Sequence, residues 1–170
     1  MSSVLIVLTA ARRWAQKDGT QRPTGFWAEE FVEPYRILSA AGADITIATP
    51  GGRTPVADEM SLSEQANGGD AAKVADLRAY LAEVKDLLES PARLEDVSPG
   101  DYDAVLIPGG HGPMQDLAVN ADMARILEAM LPDPSKGRRR AVPRAGRLHA
   151  CGYPRWILAV QGAQADLVHR

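Results

Sequence analysis

An α/β domain with a mostly parallel, doubly wound sheet is the fold predicted by this 170-residue chain. Two short apolar runs, Val4–Leu8 and Val105–Ile107, suit strands buried on both faces. A helical stretch separates the first of them from a further strand, with short connections on either side, which argues for a right-handed crossover. The third observation is the turn Pro108-Gly109-Gly110-His111-Gly112, placed directly after a strand.

In chain order, Val4–Leu8 is the first strand and residues 9–24 read as a polar loop. Residues 27–40 then carry Phe31, Tyr35 and Leu38 on one helical face, with Gly42 as a stop and Pro34 predicting a kink or break. Residues 44–48 form the second strand, closed by Pro50-Gly51-Gly52, and residues 53–70 are polar and irregular. Val74, Leu77, Leu81, Val84 and Leu88 recur at helical spacing and predict one helix over 71–88. Ser98-Pro99-Gly100 turns the chain into a strand beginning at Ala104. After the glycine turn, Met123, Ile126, Leu127 and Met130 predict a helix capped by Asn120 or Asp122.

Composition narrows the function classes. A 45% hydrophobic content over one domain length supports a sizeable core. No apolar run approaches a membrane span, and Val4–Leu8 is too short for a signal peptide's apolar region, so a cytoplasmic protein is expected. Cys151 is the single cysteine, which excludes an internal disulfide framework. Net charge is −3, yet residues 137–170 hold seven arginines against one acid, giving that stretch +6 and leaving −9 for residues 1–136. The Arg138–Arg140 run reads as a solvated stretch rather than a nucleic-acid patch, and no nucleic-acid or membrane partner is expected.

The chemistry centres on the glycine turn. Gly109 and Gly110 allow close backbone approach, so their N–H groups can converge on negative charge, with His111 as a turn residue or substrate contact. Glu29 and Glu30 open the first helix, where acids suit the helix dipole and where a carboxylate reaches the site end of an open α/β sheet. No obvious nucleophile accompanies them in the first three quarters of the chain. His149 and Cys151 resemble a nucleophile pair, but no strand aims them.

Three segments carry a resemblance: TGFWAEEFVEPY (24–35), DITIATPGG (44–52) and DYDAVLIPGGHGPMQDL (101–117). With them, residues 1–136 resemble the DJ-1/PfpI superfamily of class I glutamine-amidotransferase-like proteins, in its Hsp31-like branch. The resemblance implies a flavodoxin-like three-layer sandwich and a cofactor-free, metal-free glyoxalase III-type conversion of methylglyoxal to lactate. Deglycase, hydrolase and holding-chaperone activities are also associated with the family, as is homodimerisation. It assigns Glu30, rather than Glu29, as the catalytic carboxylate, and Gly109 and Gly110 as backbone donors. The family's Cys-His motif, on a strand of the type K-V-V-A-A-V-C-H-G-P-A, should follow Lys136, where this chain reads GRRRAVPRAG.

The genetic code accounts for the gap. Read one base later, the codons for residues 137–147 admit V-V-A-A-(L/P)-C-H-G-P-A. Residues 137–170 are therefore read as a frameshifted, disordered tail, which leaves the sheet incomplete at its C-terminal end and the chain without its nucleophile. The alternatives are a non-catalytic binding or holdase module, and an unconventional enzyme using Cys151.

Overall fold

The computed structural model describes residues 2–130 and 157–160. Strand β1 is Ser3–Val7, followed by β2 (Arg13–Ala15), β3 (Gln21–Pro23), helix α1 (Ala28–Ala40) and β4 (Asp44–Thr49). Helices α2 (Ala71–Glu83) and α3 (Lys85–Glu89), strands β5 (Ala92–Arg93) and β6 (Ala104–Ile107), helix α4 (Ala121–Met130) and strand β7 (Ile157–Val160) complete the order. The main sheet runs β5-β4-β1-β6-β7, and β2 and β3 form a separate hairpin. Pairings β1–β4, β1–β6 and β4–β5 are parallel, with Ser3 opposite Asp44 and Val4 opposite Ala104.

Alternation along the strands sends side chains to two cores, as the period of two requires. Val4, Ile6 and Leu106 meet Phe31, Val32 and Leu77 on one face, where α1, α2 and α3 lie. Leu5, Val7 and Val105 meet Met123, Ile126 and Met130 of α4 on the other. The result is a three-layer sandwich. Because β4 lies on one side of β1 and β6 on the other, the chain reverses its direction of travel at β1. Open α/β sheets bind ligands at such a reversal, beyond the carboxyl ends of the strands.

Four expectations are corrected. The 9–24 loop contains the β2–β3 hairpin, closed over Asp18-Gly19, where Gly19 takes φ 84° and Asp18 Oδ1 accepts the Thr20 N–H at 2.9 Å. Such an Asp-Gly pair favours a tight hairpin turn. Of the kink or break expected at Pro34, the break is absent: α1 runs from Ala28 to Ala40 with Pro34 buried inside it. The single helix expected over 71–88 breaks at Val84, whose ψ of 16° leaves the helical region. Finally, the stretch beyond Lys136 was expected to supply no strand, yet Ile157–Val160 forms β7, antiparallel to β6. These four residues are the one apolar run there free of arginine, and the outer edge of β6 offers unpaired backbone groups to it. The expected tail otherwise lies outside the described residues, as do His149 and Cys151.

Other signals translate directly. Gly42 takes φ 73° just beyond α1, and its N–H reaches Ser39 O at 2.9 Å. Asn120 Oδ1 caps α4 by accepting the Asp122 and Met123 N–H groups at 2.9 and 3.0 Å.

Candidate active site

The end of β6 leads into the glycine turn at the carboxyl edge of the sheet. Gly110 takes φ 118°, a conformation that side chains rarely adopt, and a Cβ there would lie 2.7 Å from Gly25 O. A Cβ on Gly109 would lie 2.7 Å from Glu30 Oε2. Both glycines are needed for backbone to reach backbone or carboxylate at this point. The turn is stitched to the start of α1, since Trp27 N–H donates to Gly109 O at 2.8 Å.

Glu30 projects from the first turn of α1 into the protein and is 2% exposed. Its Oε2 accepts the Gly109 N–H at 2.5 Å, while its buried Oε1 has no hydrogen-bond partner among the described residues. Burial pushes its pKa up to about 7, against the pull of the Gly109 N–H, with the neighbouring Glu29 charge adding to the rise. A carboxyl that exchanges its proton near neutral pH suits general acid–base work. Glu29 has a different setting: it points outward and pairs with Lys73 Nζ at 2.5 Å.

The two glycine donors are not equivalent. Gly109 N–H is engaged by Glu30, whereas Gly110 N–H has no partner among the described residues. The arrangement therefore offers a negatively charged oxygen one open backbone donor beside a carboxyl that can give or take a proton. His111 stacks on Trp14, ring centroids 4.1 Å apart and planes 14° apart, so one face of the imidazole is covered by the hairpin. Ala15 N–H of the same hairpin donates to Gln115 Oε1 at 3.2 Å.

Asp116 holds this region together and carries no obvious signal in the sequence. Its carboxylate accepts from Thr9 Oγ1, Ala10 N and Leu117 N, each at 2.7 Å, and from Ala11 N at 3.0 Å. One side chain thus clamps the loop after β1 to the loop after β6. Asp116→Asn is expected to cost about 2 kcal/mol in urea denaturation, because an amide can satisfy only part of this donor set. An unchanged midpoint would show that the clamp is dispensable.

Among the described residues, no group of three or more His, Cys, Asp or Glu is placed to hold a metal ion. No helix there is long and apolar enough to cross a membrane.

A profile described as ThiJ/PfpI family-like matches residues 22–162, a span that includes Glu30, the glycine turn and His111. The chain belongs to the ThiJ/PfpI family. A protein/nucleic acid deglycase HchA of Pseudomonas aeruginosa is 33% identical to this ThiJ/PfpI chain over 134 residues, covering 75% of it and 43% of the relative. A glutamine amidotransferase-like class 1 domain-containing protein 1 of Bos taurus is 36% identical over 106 residues, covering 61% of this chain and 41% of the relative. This ThiJ/PfpI chain therefore spans less than half the length of these curated relatives. Among solved structures, the Rapid Encystment Protein 24 KDa of Francisella tularensis superposes with a TM-score of 0.60 at 26% identity, covering 76% of this chain and 53% of that one. Glyoxalase III of Candida albicans shares the fold, with a TM-score of 0.56 at 22% identity, over 74% of this chain and 50% of that one.

Proposed function

We propose that residues 1–136 carry the proton-transfer and anion-binding half of a reactive-carbonyl site of the glyoxalase III or deglycase type. The observation that carries this reading is the Glu30 carboxyl, buried at the strand ends with Oε1 unpartnered and its proton exchanging near neutral pH. In such a reaction a thiolate adds to the aldehyde carbon of a small substrate such as methylglyoxal. The Gly110 N–H receives the oxygen that gains charge, and Glu30 moves the proton. Relatives named as deglycase and glyoxalase support the substrate class.

The polypeptide as written is catalytically silent, because no Cys-His motif follows the helix ending at Met130, and residues 137–170 derive from a one-base shift of the reading frame. Purified chain incubated with methylglyoxal is expected to form no lactate above the buffer rate. A chain restored to the alternative frame from codon 137 is expected to form it, with Glu30→Gln lowering kcat about 100-fold or more. Lactate formation by the chain as written, abolished by Cys151→Ser, would overturn this reading in favour of Cys151 as nucleophile.

A further inference from the structure

A cleft separate from the glycine turn opens on the same edge of the sheet. The loop after β1 and the loop after β4 line an open cleft of about 660 Å³, whose lining comprises the exposed Arg12, Arg13 and Arg53 with Ala10, Ala11, Gly52 and Thr54. The small lining residues leave room, and the volume falls in the range of small-molecule pockets. It sits at the carboxyl ends of adjacent parallel strands, the same edge of the sheet that presents Gly109 and Glu30.

The charge pattern is what singles it out. Residues 1–136 carry −9, yet among the described residues three arginines and no acid line this cleft. None of the three forms an ion pair among the described residues, and Arg12 makes only a long contact, 3.4 Å, from Nη2 to Thr54 O. Arg53 acts electrostatically on one acid, Glu95. Its carboxylate is occupied by Gly51 N–H, at 2.9 and 3.1 Å, and by Arg93. Like charges held together without an anion repel one another, whereas a doubly charged oxyanion would take hydrogen bonds from several guanidinium forks. A positive cleft on an acidic body also concentrates anions against the field of the rest of the molecule.

We infer that the Arg12, Arg13 and Arg53 cleft binds the phosphate group of a small phosphate ester. The volume exceeds that of a bare phosphate, so the ester's carbon skeleton fills the remainder along Ala10 and Ala11. Ala10 and the preceding Thr9 are both tied by Asp116 to the loop beyond the glycine turn, so the cleft and the carbonyl site share one anchored loop. The last point rests on the proposed function. Phosphate binding itself does not.

The test is calorimetric titration of the full chain, at low salt, with glycerol 3-phosphate and separately with inorganic phosphate. Glycerol 3-phosphate is expected to bind saturably and more tightly than inorganic phosphate. Arg12→Gln and Arg53→Gln are each expected to weaken it about tenfold. Arg78→Gln, on α2 and paired with Glu59, is expected to leave it unchanged. Affinity should fall steeply with added chloride in the parent chain and less so in Arg12→Gln. Absence of saturable binding, equal affinity for the two ligands, or equal loss with Arg78→Gln would each overturn the inference. The readout is binding and not turnover, so its failure is distinct from failure of the lactate assay.

Discussion

Glu30→Gln is expected to stabilise the fold by about 3 kcal/mol at pH 8, and the gain is expected to vanish by about pH 4. The sign follows from the raised pKa. Burial lifts the folded-state value from 4.5 to about 7. Below the unfolded value the carboxyl is protonated in both states and Glu30 carries no charge penalty. As pH climbs from 4.5 to 7 the unfolded chain ionises while the folded chain holds its proton, so wild-type stability falls. Above the folded value both states are ionised, and the penalty for a buried charge with one unpartnered oxygen is fully in force. Glutamine keeps an acceptor for the Gly109 N–H and carries no charge. Urea midpoints for both proteins between pH 4 and pH 8 read this directly. A pH-independent difference would mean that the folded-state pKa is not raised, and destabilisation by glutamine at high pH that the Gly109 N–H outweighs burial.

Gly25→Ala is expected to destabilise the protein by about 4 kcal/mol, comparable to a severe core substitution. A Cβ at this position would lie 2.0 Å from Val56 O, 2.8 Å from Val56 C and 2.9 Å from Ala57 C, all of them backbone atoms that cannot swing aside. The two segments are locked by Phe26 N–H to Val56 O at 3.0 Å, Asp58 N–H to Phe26 O at 2.8 Å, and the buried Thr24 hydroxyl to Asp58 at 3.0 Å. Separating them also moves Gly25 O, which packs over Gly110, so the open donor would shift with the stability. Gly100→Ala is the control, because a Cβ there meets nothing within 4 Å, and it is expected to change stability by less than about 0.5 kcal/mol. A melting temperature for Gly25→Ala equal to that of the control would refute the packing argument.

The parallel sheet was legible because its strands are short and apolar on both faces, a pattern that few other arrangements tolerate. Cap signals were equally plain: Gly42 and Asn120 each act through one or two local hydrogen bonds that need no tertiary context. Glu30 could be picked over Glu29 by motif position, and the helix geometry separates them physically, one turned inward and the other toward Lys73. What stayed hidden depends on distant partners. Asp18-Gly19 does signal a hairpin, but its strands are three residues long and largely exposed, so hydrophobic periodicity is silent there. The pairing of Trp14 with His111 spans nearly a hundred positions, and Asp116 reaches back by a similar distance to Thr9. Neither contact leaves a local trace.

The Asp116 clamp has a consequence for how this scaffold can diversify. Loops at the strand ends of α/β domains usually drift independently, each free to lengthen or change its chemistry while the sheet stands still. Here the loop bearing the arginine cleft and the loop beyond the glycine turn answer to the same carboxylate. An insertion in either must leave four donors within reach of two oxygens, or both pockets lose their shape together. Evolutionary change in one loop is thereby coupled to change in the other, and the pair behaves as one heritable module.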